Sequence, residues 1–397
     1  MARVKDEPAI PDFLRMDRPI NSDPVNAKRT GNWHGWPSKD ITPITLTDDA
    51  GRTVRIRTPV TDLEGLITPT DLHYTVQHFA VPPVVDTDAW ELKIVGEVKS
   101  PVTLNFDQLR RFPGRSVRAV MECSGSDATF FEYLKGEGPR PSRTKEGMIL
   151  SASEWTGAPL AAVLHQAGLT ARSCYVRAEG NDLGVPPTAA EGTQPFYYDK
   201  ALPIEKALDP DTILSWAQNG QLLEHLHGAP VRLLVPGWSG NWSVKWLKTL
   251  EVTEQEPDCW YHYQFYYYGS SPDDPEKELI TTIGVKSIIT QPSDGTETIS
   301  PGIHMIRGYA WSGAGAIDQV EVSVDGGETW HSAHIEPPRD RFMWVRWSFC
   351  WDVRRSGTYT LMSRATDEVG RVQSCEPRYN YMRKNFSAIV GHSITVS

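Results

Sequence analysis

Cys123 is the residue of this sequence with the clearest potential for chemistry. It ends an apolar strand-like segment in VRAVMECSGSDATFF, where a short glycine-containing loop begins. A side chain at such a strand end can be presented at the floor of a pocket. Its thiolate could act as a nucleophile or as a ligand to a soft metal. A buried structural thiol is the alternative, because free cysteine is among the most buried residue types.

The remaining cysteines do not form a recognisable metal or haem motif. The chain has five in all, namely Cys123, Cys174, Cys259, Cys350 and Cys375, with no C-x-x-C spacing. This pattern argues against a zinc ribbon and against a c-type haem attachment site.

Basic and small polar residues recur beside glycine-containing turns. They are His78 in YTVQHFAVPP, His227 and Arg232 in HGAPVRLLVPG, and Ser243, Val244 and Lys245 in GWSGNWSVKWL. Turn amides and cations together can hold an anion, so these segments suit a phosphate-bearing cofactor. Ordinary solvation of surface charges is the alternative for each residue taken singly.

The aromatic segment CWYHYQFYYYG, residues 259–269, could form a pocket wall whose tyrosine hydroxyls donate hydrogen bonds. Packing between domains is the other interpretation of these rings. The sequence has no Walker loop, dinucleotide-binding glycine pattern, His-Glu-x-x-His or Gly-x-Ser-x-Gly motif.

Length and charge limit the remaining possibilities. The 397 residues exceed a single ordinary core and predict two domains. A formal net charge of −10 argues against a nucleic-acid partner. No apolar run reaches the roughly 18 residues of a membrane span. As written the chain is expected to be cytoplasmic, or periplasmic if an export signal has been removed.

The chain divides into three parts by pattern. Residues 1–65 predict an N-terminal extension with a strand pair in ITLTDDAGRTVRIRT, turned at Asp49 to Gly51. Residues 66–270 alternate strand-like runs with helix-compatible segments such as APLAAVLHQAGL, which predicts a mixed α+β domain. SSPDDPEKE, residues 270–278, is interpreted as a linker. Residues 280–397 carry closely spaced strands and predict an immunoglobulin-like sandwich.

Three strings together resemble the sulfite oxidase family, which includes the bacterial sulfane dehydrogenases. They are MECSG, VRLLVPGWSGNWSVKWL and RGYAWSGAGAIDQVEVSVDGGETW, in the family's order. The resemblance runs from about residue 67 to the C-terminus.

The resemblance implies a Mo-molybdopterin cofactor whose metal is held by a pterin dithiolene and by Cys123. The family's cofactor-contacting positions correspond to Tyr74, His78, Cys123, Asp182, His227, Arg232, Ser243, Val244 and Lys245. The family's active-site tyrosine corresponds to Tyr266 or Tyr268, with Tyr266 preferred. Its C-terminal arginine corresponds to Arg383 or Arg378.

The activity implied is oxygen-atom transfer to a small sulfur substrate, with electrons passed to an external acceptor such as a cytochrome c. The resemblance also implies a homodimer formed through residues 280–397, with Trp344 and Trp347 as candidate interface aromatics. The alternatives are a reductase acting on a sulfoxide-type substrate, and a non-catalytic partner protein that binds molybdopterin.

The sequence departs from the sulfite-oxidising members at two expected arginines. Val76 stands in place of one, and Ser126, Asp127 and Ala128 occupy the segment of the other. A carboxylate near an anion site opposes the binding of a dianion. This pattern predicts weak binding of sulfite, unless Arg383 or Arg378 compensates.

Overall fold

The computed structural model describes residues 44–47, 53–186, 188–293 and 298–397. Within these ranges, no helix has both the length and the apolar character needed to cross a membrane.

The N-terminal extension is attached to the rest of the protein by strand pairing. Strands β1 (Ile44–Thr47) and β2 (Thr53–Arg57) are antiparallel, which confirms the predicted strand pair, while the predicted turn lies outside the described residues. Ile56 then exchanges two backbone hydrogen bonds of 3.1 Å with Thr75. The N–H of Thr58 also donates to the carbonyl of Met148 at 2.9 Å. Strand β2 therefore lies directly beside the segment that leads to His78.

Residues 91–253 contain two five-stranded sheets, here called the N-terminal sheet pair. The first contains β5 (Arg115–Glu122), β6 (Leu150–Pro159), β9 (Ile213–Gln218), β10 (Gln221–Leu222) and β11 (Arg232–Leu234). The second contains β3 (Glu91–Gly96), β4 (Val102–Asn105), β7 (Tyr175–Gly184), β8 (Phe196–Pro203) and β12 (Leu247–Thr253). The first sheet runs β10-β9-β6-β5, with β11 on β9, and the second runs β4-β3-β12-β7-β8.

Short helices cover these sheets. They are α1 (Phe106–Arg110), α2 (Phe130–Leu134), α3 (Arg143–Glu146), α4 (Leu160–Ala167) and α5 (Ile204–Ala207). Helix α4 confirms the predicted helix, because Leu160, Val163, Leu164 and Ala167 form one buried face at helical spacing. The mixed α+β character predicted for this part of the chain follows from this arrangement.

The segment interpreted as a linker forms a hairpin loop instead. It connects β13 (Tyr267–Tyr268) to β14 (Glu278–Leu279), which pair antiparallel. The side chain of Asp274 accepts hydrogen bonds from the N–H and hydroxyl of Ser270 and from the N–H of Glu276. These local bonds give the charged, proline-containing segment a defined turn, and its role as a linker between domains stays a prediction.

A second set of two sheets, here called the C-terminal sheet pair, begins at Lys286. Its strands are β15 (Lys286–Gln291), β16 (Thr298–Ile299), β17 (Gly302–Trp311), β18 (Ile317–Ser323), β19 (His331–Ser332), β20 (His334–Ile335), β21 (Val345–Val353), β22 (Gly357–Asp367) and β23 (His392–Val396). The orders are β15-β17-β21-β20 and β16-β23-β22-β18-β19. One apolar core, with side chains from both sheets, lies between them. The strand-rich character is as predicted; the immunoglobulin type stays a prediction.

A shared apolar cluster joins the two sheet pairs. It includes Val120 and Leu150 from the N-terminal sheet pair and Ile288 and Trp311 from the C-terminal sheet pair. Trp344 belongs to the same cluster and is 0% exposed, and Trp347 is 1% exposed. Both rings pack inside the chain, so they cannot be the interface aromatics that the sequence suggested.

Candidate functional site

A cleft opens where β5, β7 and the loops before β11 and β12 meet. It collects most of the residues selected from the sequence: Tyr74, His78, Cys123, Asp182, His227, Arg232, Ser243, Lys245 and Tyr266. These residues come from segments far apart in the sequence, and the fold brings them to one place.

Cys123 is partly buried at the end of β5 and lines this cleft. Its backbone N–H donates to the carbonyl of Ile149 at 2.9 Å, which fixes the end of the strand. The N–H of Gly125 points at Sγ from 3.5 Å. Burial raises the pKa of the thiol, while the Gly125 N–H and the Lys384 charge oppose that rise. A metal ion or a close cation is therefore needed to hold Cys123 as a thiolate.

His78 and Tyr266 form a polar contact inside an aromatic wall. Nε2 of His78 lies 2.6 Å from the hydroxyl of Tyr266. The imidazole stacks on Tyr198, with ring centroids 4.8 Å apart. Burial, reinforced by the charge of Lys200, holds the pKa of His78 well below its ordinary value, so the imidazole is neutral at pH 7. Tyr268, the other candidate, lies outside this wall and hydrogen-bonds Asn385.

Arg232 lies at the buried end of the cleft. Its guanidinium donates to the carbonyls of His227 at 2.9 Å and Ser243 at 3.0 Å. It also stacks on the ring of Trp155. Burial lowers its pKa to about 10, so it remains a cation at pH 7. It has no carboxylate partner within the described part of the chain.

Lys245 and Asp182 face the same end of the cleft. Lys245 Nζ donates to the carbonyl of Leu226 at 3.2 Å and lies over the ring of Trp246. Burial, together with the charge of Arg232, lowers the pKa of Lys245 to about 7. Burial also raises the pKa of Asp182 to about 6 against the opposing charge of Lys245. Both groups can therefore change charge near neutral pH when a ligand binds.

Ser243 and Val244 contribute differently from each other. Ser243 lines the cleft, and its hydroxyl accepts the N–H of Val235 at 3.1 Å. The side chain of Val244 is 1% exposed and packs in the apolar core, so only its backbone lies near the site. Nearby, a Cβ on Gly240 would overlap the hydroxyl of Tyr74. Only glycine allows that close approach.

Arg383 does not lie in the cleft. It pairs with Glu132, and its side chain is 56% exposed. The next residue, Lys384, faces the site instead: its Nζ lies 4.2 Å from the ring centroid of Phe265, and its charge opposes the burial-driven rise in the pKa of Cys123. Arg378, the other candidate, pairs with Glu278. The structure therefore does not bring the predicted Arg383 to the cleft.

Asp127 also lies differently from the sequence expectation. Its carboxylate is buried between Arg143 at 2.8 Å and Lys286 at 2.7 Å, and it does not line the cleft. Its charge is thus neutralised by two cations. The expected repulsion of an anionic substrate by Asp127 is absent in this arrangement, because the carboxylate is already paired.

Arg55 is a second cation that the sequence did not reveal. It lies on β2, next to Ile56, which pairs with Thr75; the antiparallel register places Arg55 opposite Val76. Its charge is close enough to oppose the burial-driven pKa shifts of Cys123 and Tyr266. Within the described residues, neither Arg55 nor Lys384 has a carboxylate partner.

The same regions of the chain match two family models. Residues 78–261 match the oxidoreductase molybdopterin binding domain, and residues 277–388 match the Mo-co oxidoreductase dimerisation domain. Mitochondrial sulfite oxidase of Rattus norvegicus is 36% identical over 329 residues, which cover 78% of this chain and 58% of that protein. The chain belongs to the sulfite oxidase family.

Other relatives show the breadth of the sulfite oxidase family. NADH nitrate reductase 2 of Phaseolus vulgaris is 33% identical over 339 residues, which cover 77% of this chain and 36% of that protein. The crystal structure of the sulfane dehydrogenase SoxCD from Paracoccus pantotrophus has a TM-score of 0.76 and 26% identity, with 92% of each chain covered. The chain thus spans little more than half the length of the rat sulfite oxidase and about a third of the nitrate reductase.

Mo-molybdopterin is the cofactor of this oxidoreductase family, and the cleft has the donors and acceptors to hold it. Among the buried polar atoms that find no hydrogen-bond partner in the described residues are three from residues that line the cleft: Nε of Arg232, Nδ2 of Asn241 and Oδ1 of Asp182. Unpaired buried polar atoms cost about 1–3 kcal/mol each, so a polar ligand that pairs them gains affinity. A phosphate-bearing pterin fits two buried cations, an amide and a carboxyl group.

The cleft also contains residues that the sequence did not single out for it. One of them is Tyr198, which lines the cleft and whose hydroxyl donates to the carbonyl of Asn241 at 2.8 Å. No spacing in the sequence marks Tyr198, since its contact depends on how β8 packs against the loop before β12.

Proposed function

We propose that this protein oxidises a small sulfur oxyanion, or a sulfur group that becomes one, by transfer of an oxygen atom derived from water. The electrons leave to an external acceptor, such as a cytochrome c. The observation that carries this proposal is a pair of cations near Cys123, Lys384 beside Gly125 and Phe265 and Arg55 on β2, which have no carboxylate partner among the described residues.

The cofactor would be held from two sides. Cys123 would supply the protein's ligand to molybdenum, and Arg232 and Lys245 would hold the phosphate of the pterin. Asp182 and Asn241 would pair with polar edges of the pterin. When bound, the cofactor supplies the oxygen-transfer and electron-storing chemistry.

Lys384 and Arg55 would bind and orient the anionic substrate. Two unit charges about 4 Å apart attract by about 4 kcal/mol at the edge of a protein. Each cation is partly buried and has no carboxylate partner in the part of the chain that the structure describes, so an oxyanion is the ligand that they would favour. This proposal departs from the expectation of weak sulfite binding, because Lys384 and Arg55, which lie on other elements, would offset the two missing arginines.

Tyr266 and His78 would hold a proton beside the substrate. The neutral imidazole of His78 can accept the hydrogen bond of the Tyr266 hydroxyl when the proton of the ring lies on Nδ1. The hydroxyl proton would then be fixed in place by a 2.6 Å contact within the aromatic wall.

The test compares two neighbouring residues. Lys384→Met should raise the KM for sulfite about tenfold to a hundredfold with a smaller effect on kcat, because a close cation to the anion is lost. Arg383→Met is the matched control and should leave KM unchanged, since Arg383 pairs with Glu132 outside the cleft. Steady-state kinetics with a cytochrome c or ferricyanide as the acceptor provide the measurement.

Several outcomes would contradict the proposal. Equal KM values for sulfite in wild type and Lys384→Met would contradict the proposed anion site. Turnover of a sulfoxide or of nitrate with a reduced dye, and none of sulfite, thiosulfate or a persulfide, would favour a reductase. A molybdenum-loaded protein that turns over none of these compounds would favour a non-catalytic partner protein.

A further inference from the structure

The loop that carries Cys123 is held at both ends by one residue of the C-terminal sheet pair. That residue is Lys286, the first residue of β15, and it is 1% exposed. Its Nζ lies 3.0 Å from Oε1 of Glu122 and 2.7 Å from Oδ2 of Asp127. Glu122 immediately precedes Cys123, and Asp127 lies four residues after it.

Two further residues complete a closed ionic network. Trp311, at the end of β17, donates from Nε1 to Oε2 of Glu122 at 2.8 Å. Arg143 donates to Oδ2 of Asp127 from both Nε at 3.1 Å and Nη2 at 2.8 Å. The network therefore contains two carboxylates and two cations, and it is neutral.

Such a network is not explained by stability alone. A buried ion pair loses so much solvation that an apolar pair of similar volume is often as stable. The network instead fixes the conformation of the backbone. Asp127 has a φ of 58°, in the left-handed region that few residues other than glycine adopt. The backbone between Glu122 and Asp127 is thus constrained by charges at both ends, with Cys123 between them.

We infer that Lys286 and Trp311 are positioning residues for the metal ligand. They orient the Cys123 side chain through Glu122 and Asp127, and they make the C-terminal sheet pair a part of the metal site as well as a dimerisation unit. This inference rests on the proposed role of Cys123 as the ligand, but it can be tested without the metal.

The test uses Lys286→Met, which removes the ammonium group and keeps the length of the side chain. Arg371→Met is the matched control. Arg371 pairs at 2.8 Å with the buried Asp367 in the C-terminal sheet pair; its side chain is 36% exposed and does not line the cleft. Both variants lose one cation from a buried carboxylate, so both should unfold at a lower temperature than the wild type.

Only Lys286→Met should change the metal site. We expect its molybdenum content after gel filtration to fall about tenfold or more, because residues that orient a ligand affect metal affinity by 10–100-fold. The g values of the Mo(V) electron paramagnetic resonance signal in the remaining loaded protein should also shift. Arg371→Met should keep both the metal content and the g values of the wild type.

The apo-protein gives a readout that does not need the metal. Alkylation of Cys123 by iodoacetamide, followed by peptide mass spectrometry, should be about tenfold faster in Lys286→Met than in wild type, which corresponds to ~1.4 kcal/mol less protection against local opening. Arg371→Met should alkylate at the wild-type rate. If Lys286→Met does not fold, Trp311→Phe removes only the N–H donor and should show a smaller change in the same direction.

The outcomes separate the two proposals. Wild-type protein that takes up no molybdenum would overturn the proposed function, and the alkylation rates would still decide the role of Lys286. Unchanged g values and alkylation rates in a folded Lys286 or Trp311 variant would overturn the positioning role. Changes in Arg371→Met that equal those in Lys286→Met would also overturn the positioning role.

Discussion

At the scale of single residues, the cleft is defined by buried polar groups that lack partners. Arg232, Asp182 and Asn241 each have a buried atom that finds no hydrogen bond within the described chain. Lys245 has one hydrogen bond, to a carbonyl, and its charge is balanced only by Asp182 across the cleft. Groups arranged in this way favour a bound anion over an empty cleft, because the ligand supplies the missing partners.

A first prediction concerns Lys245, whose pKa is lowered to about 7 by burial and by Arg232. Binding of a phosphate favours the charged form, so uptake of molybdopterin by the apo-protein should weaken as the pH rises above about 7. Lys245→Met should bind less cofactor at every pH and lose this dependence. Fluorescence of the released, oxidised pterin measures the bound amount.

Lys248→Met is the control for this prediction. Lys248 lies three residues further along and pairs with Glu179 at 3.1 Å, partly exposed to solvent. The Lys248→Met variant should bind the cofactor as the wild type does, with the same pH dependence. If cofactor uptake by the wild type did not depend on pH, Lys245 would not be the residue that binds the phosphate.

The residues of the site were predicted well where they belong to regular, recognisable strings. Cys123, His78 and Arg232 lie in such strings, and the structure places them in one cleft. Lys384 was missed because Arg383 and Asn385 both have positive φ values, of 51° and 57°. Because the backbone is irregular here, adjacent side chains point in directions that differ from those of a helix or strand. No periodicity in the sequence predicts this conformation.

At the scale of elements, the site depends on close approach between the loop before β12 and the segment before His78. A one-turn 3-10 helix, Gly240–Trp242, brings its backbone against the hydroxyl of Tyr74. The N–H of Asn385 donates to the carbonyl of Ser124 at 2.7 Å, which holds the Lys384 segment against the loop of Cys123. The cleft is thus formed by loops that are fixed to one another.

Gly240→Ala should therefore disturb the cleft. The added methyl group would overlap the Tyr74 hydroxyl, and overpacking of a buried contact costs about 1–3 kcal/mol. We expect a lower unfolding temperature, by a few degrees, together with reduced retention of the cofactor. Differential scanning fluorimetry and metal analysis of the same sample measure both effects.

Gly114→Ala is the control, because a Cβ at Gly114 meets nothing within 4 Å. It should leave both quantities at their wild-type values. Full cofactor retention in Gly240→Ala would show that Tyr74 can move without affecting the cleft.

Among the elements, local patterns predicted local structure. Helix α4 and the pairing of β1 with β2 were predictable because periodicity and turn residues act over short distances. The contact of Ile56 with Thr75, which brings Arg55 to the site, was not. It joins an extension to a distant segment, and nothing in either string specifies the other as its partner.

At the scale of the whole molecule, the two sheet pairs share an apolar cluster and the ionic network around Lys286. The C-terminal sheet pair includes the match to a dimerisation domain. Trp344 and Trp347 are buried within one chain, whereas Ile303 and Met305 on β17 are exposed by 73% and 41%. These two side chains are the apolar surface that we expect a second copy of the chain to cover.

The protein should consequently form a homodimer at micromolar concentration. Light scattering should give twice the chain mass of 44.5 kDa. Ile303→Asp should shift the mass toward that of the monomer, because a carboxylate in an apolar interface has no partner. Val84→Asp, at a comparably exposed site of the N-terminal part, should leave the mass at that of the dimer. A monomeric wild type would rule out the dimer.

The role of Cys123 as the metal ligand is tested most directly by the coordination of molybdenum in loaded wild type, in Cys123→Ser and in Cys174→Ser, measured by X-ray absorption at the molybdenum edge. Cys123→Ser should have one sulfur neighbour fewer than wild type, with loss of activity and a folded chain. Cys174→Ser, which changes a cysteine outside the cleft, should match the wild type. The same number of sulfur neighbours in Cys123→Ser and wild type would contradict the assignment of Cys123 as the metal ligand.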